Sequence, residues 1–272
     1  IVTQQIILPG GWFLFSTYIQ EEDPSMSNVM EPIIDNVIIV KNYLGGVYWP
    51  QYSINSIGDF TEGEGYYINT ETEDTLEISG DLIASDYPLN LPEGWFITAY
   101  LHQEPADVSN MMAPIVDNLM IIKDYLGAVY WPMLNINSIG NMQPGWGYYM
   151  NIETPTTFMY PENDGGRISF IEDDFVSIKY MNPRNTGNNM TLGLPSTIWT
   201  NTPTEGDEIV VYDQHDLVVG NAKYRNDFSV VTLWGNDELT KNKDGLYPGE
   251  RFSLKLWRNN ENTEESLIID SW

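Results

Sequence analysis

The sequence predicts a mainly β protein with minor α content. Two tandem small α+β or barrel-like repeats, residues 1–80 and 81–161, precede an antiparallel β-sandwich, jelly-roll-like, over 162–272. Three observations predict this. The first is an internal repeat: offset by 82 positions, residues 31–72 and 113–154 agree at 25 of 42 places. The second is that each copy is built of short aromatic and β-branched runs separated by Gly, Pro and Asn, with room for one short helix. The third is the loss of any helical period after about residue 167.

Upstream the offset becomes 83, which lays LPGGWF (Leu8–Phe13) over LPEGWF (Leu91–Phe96). One residue is lost between, where EEDPSMSN faces EPADVSN. In each copy GWFLFSTYI and GWFITAYLH follow a Pro-x-Gly turn and read as strands. DPSMSNVMEPI and ADVSNMMAPI read as the helix, with Ser or Asp as N-cap. Pro32 and Pro114 shorten or end it, because proline lacks the N–H a helix interior needs. NVIIVKN and NLMIIKD, the two VYWP segments, and GEGYYINT and GWGYYMNI read as strands. DTLEIS and TTFMYP close the copies, and PENDGG (Pro161–Gly166) reads as a linker. Beyond it RISFIEDD, VSIKYMN, NNMTLGLP, DEIVVYD, LVVGNAKYR, FSVVTLWG, RFSLKLWR and ESLIIDSW make eight sandwich strands.

The chain of 272 residues carries 39 acids against 12 bases, a net charge of −27. Residues 1–161 hold twenty acids and only Lys41 and Lys123, a net of −18. A field of that sign repels phosphate backbones and anionic lipid, which argues against nucleic-acid partners. It suits solubility in a salty medium, where screening is strong. The absence of cysteine removes disulfides and thiolate chemistry. No run approaches the ~18 apolar residues of a membrane span. A chain beginning at Ile1 reads as one whose N-terminus was made by cleavage.

Two residue patterns carry a resemblance. LPxGWF, PI(I/V)DN, VYWP, INSIG and GxGYY together resemble a module of large exported Bacteroidota proteins, of the kind secreted through the type IX system. GDEIVVYDQHDLVVGNAKY with VVTLWGNDELTKNKDGLYPGERFSLKLW (Gly206–Trp257) is similar to a β-sandwich module of the same surface proteins. The resemblance covers about 200 residues and brings no catalytic residues with it. It implies export, an extracellular or cell-surface setting, and assembly or adhesion.

Candidate chemistry is sparse. Of two histidines, His102 stands where the first copy has Ile19, and His215 lies in the turn YDQHDL. Neither has the context of a nucleophile–base pair. No P-loop, GxSxG or HExxH is present. Carboxylate pairs for glycoside hydrolysis cannot be chosen among 39 acids. Calcium wants hard oxygen ligands from Asp/Asn/Gly loops. Asp213 and Asp216, with Asn236, Asp237 and Asp244, are its candidate ligands; the alternative is that these acids cap turns. Thr75 in Asp74-Thr75-Leu76 and Asn189 in Asn189-Met190-Thr191 are candidate glycosylation positions.

Among the duplicated aromatics, Trp12 and Trp95 are expected in the core, and adjacent residues of VYW and GYY on opposite faces of their strands. Trp146 has Glu64 as its counterpart, so it is the expected exposed aromatic and the candidate partner or glycan contact. Two uses are open for the lead-in IVTQQIILP: an edge strand of its own domain, or a strand added to a neighbouring subunit. The reading is a non-enzymatic exported structural or adhesive protein, with a carbohydrate-binding accessory module as the alternative.

Overall fold

The computed structural model describes residues 1–163, 177–226 and 228–269. The chain is mainly β, with two short α-helices, and divides into two compact units, Ile1–Ile171 and Glu172–Trp272. Both repeats therefore lie in one unit.

Repeat one runs β1 (Val2–Leu8), β2 (Gly11–Phe15), β3 (Ile19–Gln20), α1 (Met26–Met30), β4 (Val37–Lys41), β5 (Val47–Trp49), β6 (Ile54–Asn55), β7 (Tyr66–Thr70) and β8 (Asp74–Leu82). Repeat two runs β9 (Leu89–Leu91), β10 (Gly94–Ala99), β11 (Ala106–Asp107), α2 (Val108–Met112), β12 (Leu119–Lys123), β13 (Val129–Trp131), β14 (Ile136–Asn137), β15 (Asn141–Met142), β16 (Gly147–Ile152) and β17 (Thr156–Phe158). The caps are those expected. Ser25 accepts from Asn28 N–H, and Asp107 from Asn110 N–H at 3.0 Å. Each α-helix ends before its proline, which then sits in the first turn of a 3-10 segment, where a missing N–H costs nothing.

Each repeat builds a five-stranded antiparallel sheet, β2-β7-β4-β5-β6 and β10-β16-β12-β13-β14. The registers repeat: Phe13 faces Ile68 as Phe96 faces Met150, and a bulge recurs at Val37/Ile39 and Leu119/Ile121. One face of each sheet packs against its own helix. Phe13, Phe15, Val40, Tyr66 and Ile68 meet Met26, Val29 and Met30 in repeat one. Phe96, Ile122, Tyr148 and Met150 meet Val108, Met111 and Met112 in repeat two. The other face is buried too: Trp12, Leu14, Ile39, Ile97 and Ile121 are all at most 8% exposed. Tyr67 of one repeat meets Tyr149 of the other edge-on, ring centres 6.3 Å apart.

The repeats are joined by main chain as well. Phe15 bridges Trp146, and Glu64 bridges Thr98. Ser16 N–H donates to Gly145 O (3.0 Å), and its counterpart Ala99 N–H donates to Gly63 O (3.0 Å). Phe13 meets Tyr125 at 4.6 Å as Phe96 meets Tyr43 at 4.7 Å, both edge-on. Such reciprocal contacts are those of an isologous interface written within one chain.

The lead-in is an edge strand of its own module. β1 pairs with β8 from Val2↔Gly80 to Leu8↔Asp74 and buries Ile6 and Leu8 in the repeat-one core.

The second unit contains β18 (Asn189–Pro195), β19 (Glu208–Tyr212), β20 (Val218–Lys223), β21 (Phe228–Trp234), β22 (Ser253–Arg258) and β23 (Thr263–Leu267). Sheets β18-β21 and β20-β19-β22-β23 enclose Leu194, Val231 and Leu233 from one and Ile209, Val211, Val219, Leu254 and Leu256 from the other. Two of the expected strands are not among these six. RISFIEDD lies outside the described residues. Residues 177–182 of VSIKYMN form no strand, and 178–180 of them are a bend. Ser177 donates to the Glu208 carboxylate, which also accepts from Ile178 N–H at 2.7 Å, and Tyr180 N–H donates to Ser177 Oγ at 2.7 Å. Those local bonds take the groups a sheet ladder would use. Among the described residues no helix is long and apolar enough to cross a membrane.

Candidate functional site

The calcium candidates are not assembled into one site. Asp213 is buried at the start of the turn between β19 and β20, where its Oδ1 accepts from His215 N–H (2.7 Å) and Leu217 N–H (2.8 Å). Its Oδ2 receives the Lys243 ammonium, which also donates to Glu250 at 2.6 Å. Asp213, His215 and Glu250 bring their ligand atoms within 4.8 Å of one another, but Lys243 Nζ already bridges the two carboxylates. Burial works to raise Asp213; hydrogen bonds from Lys243, Leu217 and His215 outweigh it and hold the carboxyl below its ordinary range. Hydrogen bonds from Lys243 and Tyr247 N–H lower Glu250 as well. Asp216 is exposed in the left-handed region at φ 64° and takes no part in this cluster.

Asp237 and Asp244 form a second cluster. Arg184 Nη2 lies 2.7 Å from Asp244 Oδ2 and 4.0 Å from Asp237 Oδ2. Asp244 Oδ1 accepts from Asp237 N–H (2.9 Å), and Asp237 Oδ1 from Leu239 N–H (2.9 Å). Asn236 Oδ1 accepts from Asp244 N–H (3.1 Å). The four candidate acids thus fall into two turn-capping clusters with Asp216 outside both, and in each cluster one cation of the chain meets two carboxylates.

The expected exposure of Trp146 is corrected: the residue is half-buried. Its ring is half-buried between the two cores, edge-on to Tyr125 (4.9 Å) and Phe13 (6.1 Å), and its carbonyl accepts from Ser16 Oγ (2.6 Å). The sequence marked it as dispensable because Glu64 replaces it. The junction tolerates that replacement, with burial raising the Glu64 carboxyl. Trp12 is in the core at 5% exposure, whereas its counterpart Trp95 is 38% exposed and stacks on Tyr149 at 4.5 Å. Of the adjacent pairs, Tyr48 is buried and Trp49 half-buried, and Tyr66 and Tyr148 are core while Tyr67 and Tyr149 meet between the repeats.

No known relative guides the reading. Family models, curated proteins and solved structures were each compared with the chain, and none matches.

The remaining candidates are placed as follows. His102 is 7% exposed, its Nε2 lies 2.9 Å from Pro161 O, and burial lowers its pKa. His215 is exposed beside Asp213. Thr75 is exposed on β8, opposite Ile7, and Asn189 is half-buried at the start of β18, opposite Trp234. Two features escaped the sequence reading. Lys41 and Lys123, the only bases of the repeats, lie over the rings of Trp12 (4.5 Å) and Trp95 (5.1 Å). Asp124, buried beside Lys123, is pushed up to about 7 by desolvation. The signal for the first was in the sequence: the only two bases of 161 residues fall at equivalent positions.

Proposed function

We propose that the chain is a non-enzymatic, exported structural or adhesive component of a bacterial cell surface or extracellular fibre, self-associating through its terminal strands. One observation carries the assembly part: among the described residues β1 and β23, the two terminal strands, each lie at the edge of their sheet. An edge strand presents a row of N–H and C=O groups to any strand that arrives beside it. β1 keeps its own place in repeat one, so it acts as the acceptor edge and not as a donated strand. Export, surface location and a type IX route rest on the two residue patterns that resemble Bacteroidota surface modules. The engagement of His102 with a carbonyl and of the clustered acids with Lys243 and Arg184 supports a non-catalytic role.

Light scattering and electron microscopy of the purified chain test this. Concentration-dependent particles are expected. Val2→Lys with Thr3→Lys charges the exposed end of β1 without touching Ile6 or Leu8 and should reduce them. A strictly monomeric wild-type chain at high concentration sinks the proposal. The second reading, a carbohydrate-binding accessory module of a larger secreted enzyme, is favoured by Trp95, a 38% exposed aromatic ring. A glycan array with Trp95→Ala as control distinguishes it.

A further inference from the structure

Repeat one, closed on one side by Tyr87 of the second repeat, lines a cavity of about 380 Å³, at a place whose counterpart in repeat two is filled with rings. The 83-residue offset sets Thr17 against Tyr100 and Ile19 against His102; the 82-residue offset sets Ile78 against Tyr160. In repeat two these three rings lie 5.6–5.8 Å apart and are buried. In repeat one a threonine and two isoleucines leave the volume open.

The cavity is graded in polarity. Ile19, Val29 and Ile78 are buried and make an apolar floor, with Phe60 and Tyr87 as aromatic walls. Half-buried Glu21 and Glu62, the latter accepting from Gln20 Nε2, and exposed Asp59 make the solvent-side lining, the mouth. None of the lining residues is basic, and the only bases of the repeats lie over Trp12 and Trp95. Burial raises the Glu21 carboxyl and Asp23 adds to the effect, so an incoming cation would relieve it. A lysine entering alone would drive its charge toward the apolar floor, which is unfavourable. A ring suits the floor, as Tyr100 does in repeat two, while a cation beside the ring suits the mouth.

We propose that this cleft binds an aromatic side chain of a partner polypeptide, flanked in sequence by lysine or arginine. The ring takes the volume that Tyr100 and its neighbours take in repeat two, and the flanking cations meet Glu21, Asp59 and Glu62. The site does not depend on the surface-protein reading, since it rests on the difference between the two repeats.

The test is calorimetric titration of the whole chain with three capped peptides, Lys-Phe-Lys, Lys-Ala-Lys and Glu-Phe-Glu. Saturable binding of Lys-Phe-Lys is expected, with the other two weaker by roughly tenfold or more. Thr17→Tyr should abolish it by filling the floor. Thr17 Oγ1 also donates to Gln4 Oε1 (2.7 Å) and accepts from Ile19 N–H (2.9 Å), so that variant is checked for folding. Glu21→Gln with Glu62→Gln leaves the floor intact and should weaken Lys-Phe-Lys by roughly tenfold. Absence of saturable binding overturns the proposal. So does equal binding of Lys-Ala-Lys, which would reduce the effect to bulk charge, or full affinity in the double Gln variant.

Discussion

Asp124 and Asn42 hold the same turn in the two repeats. Asn42 Oδ1 accepts from Leu44 N–H (3.1 Å) and Gly46 N–H (2.7 Å). Asp124 Oδ1 accepts from Leu126 N–H (2.9 Å) and Ala128 N–H (2.8 Å). The geometry is common to both, but only Asp124 must keep or lose a charge while buried. Desolvation pushes it up to about 7, against the backbone N–H groups of Ala128, Leu126 and Gly127. The folded chain therefore binds a proton that the unfolded chain releases between the ordinary value of 3.8 and about 7. Its contribution to stability is complete below the lower value and is lost as pH rises through the upper one. Asp124→Asn copies repeat one and has nothing to titrate. We expect it to be more stable than wild type by about 2 kcal/mol at pH 8, with the gap closing toward pH 4. Denaturant melts across that range read the difference, and parallel curves would refute the assignment. Lys123, held down to about 8 by burial, titrates in both proteins and cancels in the comparison.

At the scale of elements, the two glycines of GxGYY do different work. Gly63 and Gly145 have φ of +80° and +87°, in the left-handed region that favours glycine. Gly65 and Gly147 open β7 and β16 where the other repeat crosses. A Cβ on Gly147 would stand 2.8 Å from Phe15 O, and one on Gly65 3.0 Å from Thr98 O. Gly147→Ala is expected to cost about 1–3 kcal/mol, because backbone must give way on both sides. Thermal melts against the exposed Gly58→Ala, where nothing lies within 4 Å, isolate crowding from glycine removal once the left-handed cost at Gly58 is allowed for. Most strands, both helix caps and the proline stops were legible because period, capping and turn chemistry are local signals. The junction was not. Alternation in GWFLF says that one face is buried and cannot say that the other is covered by a second copy. The same blindness made Trp146 look exposed and Trp95 look like core, since both depend on what stands across the junction. The cations of the acid clusters hid for a related reason: Lys243 is remote in sequence from Asp213, and Arg184 from Asp237 and Asp244.

The whole molecule follows from that junction. Repeat one by itself would leave Trp12, Leu14 and Ile39 without the sheet face that covers them, while Ile6, Phe15 and Ile68 would keep their own core. An independent-domain reading gives three unfolding transitions, whereas one unit of paired repeats and one sandwich gives two. We expect residues 1–163 produced alone to unfold in a single cooperative step and residues 1–85 alone to show none. Tryptophan fluorescence reports on both units, through Trp12, Trp49, Trp95, Trp131 and Trp146 in one and Trp199, Trp234 and Trp257 in the other. Charge adds a second handle. Twenty acids against two bases in residues 1–161 repel one another in the compact state, and salt screens them within about 10 Å at 0.1 M. Added sodium chloride should therefore raise the transition of the repeat unit more than that of the sandwich, where ten bases offset about half of nineteen acids. A third transition, or a cooperative melt of residues 1–85, would make the two repeats neighbours on a string rather than halves of one fold.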